Sequence, residues 1–122
     1  MTPRRLLIID DDPAMAELLG EFCREMGHDV RLVTDSRQAL SAAIEFRPHL
    51  VTLDLDMPHM NGLEVLSQLR AHPATDQTAV VIISVRGKDA GPTVDLVKGC
   101  LDKPVVYRVL EEKLRGVLKT AD

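Results

Sequence analysis

The 122-residue sequence predicts an α/β domain built on a doubly wound, five-stranded parallel sheet. Short apolar runs alternate along the chain with longer segments in which apolar residues recur at helical spacing. That alternation is typical of parallel sheets covered by helices on both faces. Acidic, serine or lysine residues follow four of the runs at the point where each run ends. Because ligands bind outside the carboxyl ends of the strands in such sheets, these residues are candidates for a functional site.

Five apolar runs predict the strands. They cover residues 6–9, 29–33, 50–53, 79–83 and 100–102. Right-handed crossover connections leave few topologies for a parallel sheet. We expect the strand order 2-1-3-4-5, the known order of flavodoxin-like sheets, in which the first and third strands flank the switch point where a cleft forms.

The helices lie between the strands and after the last one. Asp12 and Pro13 predict the start of the first helix, and Ser36 is the expected cap of the second. A third helix follows Gly62. The last helix has apolar residues on one face, namely Val106, Val109, Leu110, Leu114, Val117 and Leu118.

The segment Val85–Gly99 is the least regular part of the sequence, because two glycines and a proline interrupt it. We expect a shortened or irregular fourth helix there, over residues 92–98 at most. The segment has few apolar anchors, so we also expect it to be the most mobile part of the fold.

Composition and charge narrow the class of protein. The length suits one domain over residues 1–122, and 45% hydrophobic and 28% charged residues are ordinary for a globular protein. The net charge of −4 favours neither nucleic acid nor a membrane surface as a partner. Cys23 and Cys100 form no metal or redox motif, and no export signal or membrane-spanning run is present, so we expect reduced thiols and a cytoplasmic location.

The run Leu50–Leu53 ends at Asp54, and the residues after it favour a stiff loop. Pro58 fixes one backbone angle, and Gly62 tolerates a positive φ. The sheet places Asp10 and Asp11 beside Asp54, with three carboxylates crowded into one cleft. At such short separations, like charges disfavour ionisation of the carboxyl groups unless a cation offsets them. Carboxylate oxygens are suitable ligands for Mg²⁺.

Two further residues complete the cluster that the sequence predicts. Ser84 follows the fourth strand and Lys103 the fifth, so both lie at the same edge of the sheet. A lysine binds phosphate oxygens as a point charge, and a hydroxyl adds a donor. A carboxylate, a divalent cation, a lysine and a hydroxyl around one point predict phosphoryl transfer with Asp54 as the nucleophile.

The sequence resembles the receiver domain of two-component response regulators, the CheY-like superfamily, over essentially its whole length. The resemblance rests on Ile8–Pro13, Leu53–Gly62, Ile83–Ser84 and Asp102–Pro104, in this order and spacing. It implies that Asp54 accepts a phosphoryl group from the phosphohistidine of a partner kinase or phosphotransfer protein. It also implies a phosphorelay domain that assists its own phosphorylation and dephosphorylation, rather than a conventional enzyme, and that signals to a downstream protein partner through a conformational change.

The resemblance also implies a role for each residue of the cluster. Asp11 and Asp54 would bind Mg²⁺ directly, together with the backbone carbonyl of Asp56. Asp10 would act mainly through water. Ser84 and Lys103 would contact the phosphoryl oxygens, and the Lys103–Pro104 peptide bond would be cis.

Three features depart from the family pattern. Val85 stands where a small residue is usual, and Cys100 stands where an aromatic residue usually moves on phosphorylation. The segment between Ser84 and Lys103 is also shorter than usual. These departures leave open an alternative, a receiver-like binding module that does not need phosphate.

A second alternative is a phosphatase with an aspartate nucleophile, because Asp54-Leu55-Asp56 also resembles the nucleophile motif of haloacid-dehalogenase-type enzymes. In that reading Asp56 is the general acid. The position of the motif after two strands, and the lack of a later acidic pair, argue against this alternative.

Asp56 and Arg86 lie two residues beyond Asp54 and Ser84, on neighbouring strand ends. Their opposite charges predict a pair at the mouth of the cleft that shields an acyl phosphate from water. Two other readings remain open: Asp56 orients the attacking water, or only its backbone carbonyl matters.

Overall fold

A computed structural model describes residues 2–85 and 96–121 and shows a parallel sheet with helices on both faces. The strands are β1 (Arg5–Ile9), β2 (Asp29–Val33), β3 (Leu50–Leu53), β4 (Ala79–Ser84) and β5 (Gly99–Asp102). The helices are α1 (Pro13–Glu25), α2 (Ala39–Phe46), α3 (Gly62–Ala71) and α4 (Tyr107–Ala121), with a 3₁₀ turn at Ser36–Gln38. All pairings are parallel, and the order β2-β1-β3-β4-β5 confirms the predicted doubly wound, flavodoxin-like sheet.

Two apolar clusters hold the helices against the two faces of the sheet. Alternate residues of each strand point to opposite faces, so every central strand contributes to both clusters. One cluster lies beneath α1 and α4 and includes Leu6, Ile8, Leu19, Leu50, Val81, Leu110 and Leu114. The other lies beneath α2 and α3 and includes Leu7, Ile9, Ala43, Val51, Leu53, Leu66 and Val80. Burial on both faces explains why the central strands are apolar throughout.

The first helix begins as predicted. The Asp12 carboxylate accepts a hydrogen bond from the backbone N–H of Ala14 at 3.0 Å, and Pro13 occupies the first helical turn. Met26 caps the carboxyl end, and Gly27 follows it with a φ of 93°, which a residue without a side chain adopts readily. This start places Asp10 and Asp11 in the tight turn between β1 and α1.

Two sequence-based details are wrong. Ser36 does not cap the second helical segment, because the Asp35 carboxylate accepts the backbone N–H of Arg37 instead. Val106 and Val109 were placed on the buried face of the last helix, yet they are 60% and 48% exposed. Val106 precedes the first turn of α4, and the buried side of the helix is formed by Leu110, Leu114, Val117 and Leu118.

The predictions for the connection between β4 and β5 fall mostly on residues 86–95, which lie outside the described residues. These are the short irregular helix over 92–98 and the mobile Val85–Gly99 segment. Cys23 and Cys100 are both free thiols, as expected. Within residues 2–85 and 96–121, no helix is long and apolar enough to cross a membrane.

Candidate functional site

Three carboxylates meet at the carboxyl edge of the sheet. Asp10 follows β1 and Asp54 follows β3, and these strands are neighbours with Ile9 opposite Leu53. The N–H of Asp54 donates to the Ile9 carbonyl at 3.0 Å, which extends the pairing past the strand end. Asp10, Asp11 and Asp54 each have an oxygen within 4.8 Å of the others, although Asp10 and Asp54 are only 1% and 5% exposed. The sheet therefore assembles the acidic cluster that the sequence predicts.

Lys103 brings a positive charge into this cluster from β5. Its ammonium nitrogen Nζ lies 2.7 Å from Oδ2 of Asp10 and 3.4 Å from Oδ2 of Asp54. Its backbone N–H donates to the Ser84 carbonyl at 3.2 Å, which continues the pairing of β4 with β5. The Lys103–Pro104 peptide bond is cis, as predicted. Lys103 thus bridges the carboxylates that follow β1 and β3.

The electrostatics of the cleft favour a bound cation. Burial raises the pKa of Asp10, although the hydrogen bond and charge of Lys103 act in the opposite direction. Burial and the nearby charges of Asp54 and Asp10 raise the pKa of Asp11. Burial alone would lower the pKa of Lys103, but its hydrogen bond to Asp10 and the surrounding carboxylates raise it. Burial is thus the main reason that the pKa values of Asp10 and Asp11 are raised, and the neighbouring carboxylates add to it.

The donor atoms suit a hard divalent cation. With three carboxylates and one ammonium ionised, the cluster has a formal charge of minus two, which one divalent ion balances. All the converging side-chain donors are oxygens, and Mg²⁺ prefers oxygen ligands and binds with one or two carboxylates plus waters and phosphate oxygens. The residues present therefore fit the metal that the sequence predicts.

Close packing fixes the loop after Asp54. The Asp54 oxygen Oδ1 accepts the N–H of Asp56 at 3.3 Å, and the N–H of Gly62 donates to the Leu55 carbonyl at 3.0 Å. A Cβ atom on Gly62 would lie 2.2 Å from the Asp54 carbonyl oxygen, so no side chain fits there. Gly62 does not adopt the positive φ that glycine tolerates, and the left-handed residue of this loop is His59, at φ 68°. Gly62 is needed for close approach instead.

The cap of α3 completes this loop. Asn61 accepts the N–H of Glu64 at 3.0 Å, and its amide nitrogen lies 3.3 Å from the Glu64 carboxylate. This reciprocal arrangement stabilises the first turn of a helix. α3 consequently begins at Gly62, against the backbone of Asp54, and holds the loop in place.

Ser84 and Asp56, two further residues of the predicted site, differ in their exposure. Ser84 is fully buried at the last position of β4. Asp56 is exposed at the rim. Arg86 lies outside the described residues, so its expected pairing with Asp56 stays a prediction.

Sequence reasoning missed two polar residues near the site. The Ser36 hydroxyl donates to the Pro58 carbonyl at 3.0 Å, in the loop that carries Asp54. Thr52 lies two residues before Asp54, and its hydroxyl oxygen is buried without a hydrogen-bond partner. Helix-capping residues are common near helix starts, so nothing in the sequence distinguished Ser36 from an ordinary cap.

Comparison with known proteins agrees with this architecture. The family model described as the response regulator receiver domain matches residues 6–115. The DNA-binding response regulator MtrA of Mycolicibacterium paratuberculosis is 36% identical to this chain over 126 aligned positions. The aligned region covers 98% of this chain and 53% of that protein. The chain thus spans about half the length of this curated relative.

Solved structures are similar over nearly the whole chain. A sensor protein from Polaromonas sp. JS666 has a TM-score of 0.91 and 27% identity, covering 100% of both chains. A receiver domain of a sensor histidine kinase from Pseudomonas aeruginosa PAO1, with a magnesium ion coordinated in its active-site cleft, has a TM-score of 0.86. That domain is 19% identical, covering 97% of this chain and 99% of its own, and supports the fold alone. By its sequence and its architecture, the chain belongs to the response regulator receiver domain family.

Proposed function

We propose that Asp54 accepts a phosphoryl group from the phosphohistidine of a histidine kinase or phosphotransfer protein. The observation that carries this proposal is the ammonium group of Lys103, held 2.7 Å from Asp10 and 3.4 Å from Asp54. A cation placed in advance beside the nucleophile stabilises the negative charge on a transferring phosphoryl group, and it needs no reorganisation during the reaction.

In the proposed step, a carboxylate oxygen of Asp54 attacks phosphorus on the side opposite the histidine nitrogen. The new P–O bond forms as the P–N bond breaks, and the released imidazole takes a proton from solvent. Lys103 then binds one phosphoryl oxygen, and the Ser84 hydroxyl is proposed to donate to another. The burial of Asp54 limits competition from water for these donors.

The acidic cluster is the proposed magnesium site. Asp11 and Asp54 would hold the ion directly with the backbone carbonyl of Asp56, and Asp10 would act through water. When bound, Mg²⁺ supplies positive charge to the phosphoryl oxygens. The formal charge of minus two, which would otherwise oppose an incoming phosphate, supports this assignment.

The phosphorylated chain is proposed to assist its own dephosphorylation and to signal to a protein partner by a change of conformation. The MtrA relatives are described as DNA-binding response regulators, and this chain spans about half of their length. With a net charge of −4, the domain itself has no electrostatic basis for binding DNA. A protein is therefore the proposed direct partner.

The test is incubation with a small acyl phosphate donor and Mg²⁺, followed by intact mass measurement. We expect one phosphoryl group on the wild type and none on Asp54→Asn, which keeps the shape of the side chain but removes the nucleophile. Asp29→Asn, at the opposite edge of the sheet, is the matched control and should be labelled like the wild type.

Stoichiometric labelling of Asp54→Asn, or undiminished labelling of the wild type in excess chelator, would contradict the proposal. A wild type that takes no label would favour the phosphate-independent binding module. Steady turnover of a generic phosphomonoester would favour the phosphatase.

A further inference from the structure

The connection between β2 and α2 is hydrogen-bonded to the loop after Asp54. The Ser36 hydroxyl donates to the Pro58 carbonyl at 3.0 Å, and Ser36 is only 2% exposed. The same carbonyl accepts the N–H of Met60 at 2.7 Å. Pro58 is therefore held by its own loop and by a segment 22 residues earlier in the chain.

An ion pair flanks Ser36 within the connection between β2 and α2. The Arg37 guanidinium donates to both oxygens of the Asp35 carboxylate, at 3.1 and 2.9 Å. Arg37, and to a smaller extent the nearby His59, hold the pKa of Asp35 down to about 2. His59 follows Pro58 directly and has a left-handed backbone, which is uncommon for a residue with a side chain. The hydrogen bond from Ser36 to Pro58 therefore joins this ion-paired connection to the loop that contains His59.

Asp56 lies midway between Asp54 and Pro58, and only Met57 separates it from the residue that Ser36 binds. The N–H of Asp56 is already bound to Oδ1 of Asp54 at 3.3 Å. We propose that Ser36 is a positioning residue that, through Pro58, holds the backbone carbonyl of Asp56 in place for Mg²⁺ and so sets the affinity for the metal. This inference rests on the proposed function, in which that carbonyl is a ligand.

The test measures Mg²⁺ binding by calorimetry, on the whole chain and without a phosphodonor. Ser36→Ala removes the hydrogen bond to Pro58. One such bond is worth about a three- to tenfold change in an equilibrium constant, so the dissociation constant for Mg²⁺ should rise by that factor. At saturating Mg²⁺, the labelling rate of Ser36→Ala should stay within twofold of the wild type, because Asp54 and Lys103 are unchanged.

Two control variants separate positioning from general loosening. Ser41→Ala removes an exposed hydroxyl that donates to the Gln38 carbonyl, near the same connection. Cys23→Ala creates a cavity in the core cluster on the other face of the sheet and lowers stability from there. Both should bind Mg²⁺ within twofold of the wild type at a temperature where all variants are folded.

The proposal is overturned if Ser36→Ala binds Mg²⁺ within twofold of the wild type, or if Cys23→Ala weakens binding equally. A labelling rate of Ser36→Ala that stays low at saturating Mg²⁺ also overturns it, because the residue would then act on the transfer step. Since the titration uses Mg²⁺ alone, its result stands even if the wild type accepts no phosphoryl group, and the two failures are distinguishable.

Discussion

Thr52 lies beneath the cleft, two residues before Asp54 on β3. It is 1% exposed, and its hydroxyl oxygen is the one buried side-chain polar atom without a hydrogen-bond partner within residues 2–85 and 96–121. A buried hydroxyl that has left water without gaining a partner costs about 1–3 kcal/mol. The Thr52 hydroxyl thus lowers the free energy of unfolding, and it lies immediately below the proposed phosphoacceptor.

Replacing Thr52 with valine should therefore stabilise the protein. The two side chains have nearly the same shape, so Thr52→Val removes the unpartnered hydroxyl and leaves no large cavity. We expect the free energy of unfolding to rise by about 1 kcal/mol, measured by urea denaturation with an unchanged m-value.

Thr75→Val is the matched control. Thr75 is equally buried, but its hydroxyl donates to the Leu69 carbonyl at 2.6 Å. That substitution should lower the free energy of unfolding by about 1 kcal/mol. Equal losses in both variants would contradict the argument and would show that the Thr52 hydroxyl has a partner in solution.

At the scale of elements, the start of α3 determines the position of the loop that follows Asp54, the proposed phosphoacceptor. Gly62 lets the first turn of the helix approach the backbone of Asp54. Gly62→Ala would place a Cβ atom 2.2 Å from the backbone oxygen of Asp54. The nearest atoms all belong to the backbone of Asp54 and Leu55, so no flexible side chain can move aside. We expect a loss of about 1–3 kcal/mol in unfolding free energy, as in other overpacked sites.

Gly116→Ala is the control for this prediction. Gly116 lies within α4, and a Cβ atom there would meet nothing within 4 Å. Alanine favours helix over glycine by about 1 kcal/mol, so this variant should gain stability in the same denaturation experiment. A Gly62→Ala variant as stable as Gly116→Ala would contradict the proposed close approach.

The elements that the sequence predicts well are those whose local signals agree with their tertiary surroundings. The strand at Leu50–Leu53 is apolar throughout because both of its faces are buried, so its boundaries were predicted correctly. The meeting of Asp10, Asp54 and Lys103 followed from strand ends alone, because parallel strands share one carboxyl edge.

The errors came from residues whose surroundings depend on tertiary packing or on where a helix begins. Ser36 is a residue type that often caps helices, but its hydroxyl donates to the Pro58 carbonyl. The periodicity of the sequence does not predict that contact. Val106 fits helical spacing, but α4 begins one residue later. The reason for Gly62, close approach rather than a positive φ, depends on how α3 packs on β3. Tertiary packing determines these features, and local sequence patterns do not predict them.

At the scale of the whole molecule, the two edges of the sheet carry different titratable groups. The carboxyl edge holds the acidic cluster. At the amino edge, two histidines accept backbone hydrogen bonds through Nδ1, from Arg4 to His28 and from Arg5 to His49, both at 3.0 Å. Burial, followed by nearby positive charge, lowers the pKa of both imidazoles below the ordinary value of 6.5.

These lowered values predict a loss of stability in mild acid. Well above pH 6.5 both histidines are neutral in the folded and unfolded states, so their contribution to stability is complete. As the pH falls through 6.5, the unfolded chain takes up protons first, and stability declines until the pH reaches the folded pKa values. Each histidine contributes a slope of at most about 1.4 kcal/mol per pH unit.

His28→Asn tests this pH dependence. The asparagine oxygen takes the place of Nδ1 as an acceptor for Arg4 but does not titrate. Between pH 7 and 5.5, the wild type should lose more unfolding free energy than the variant, and the difference at pH 8 gives the cost of the substitution itself. Parallel pH profiles for the two proteins would show that His28 is not responsible.

Asp10 and its partner Lys103 are added to a growing chain at widely separated times. These residues are 93 positions apart, and Lys103 follows Asp54 by 49. A nascent chain therefore carries all three carboxylates, without the ammonium group that offsets them, over the 49 positions from Asp54 to Lys103, and crowded like charges resist burial. The strands around the acids can associate earlier, but their carboxyl edge is balanced only after the ribosome has passed residue 103. A product released before that point would lack the cation on which phosphoryl transfer is proposed to depend, and it would also lack α4, which covers one face of the sheet.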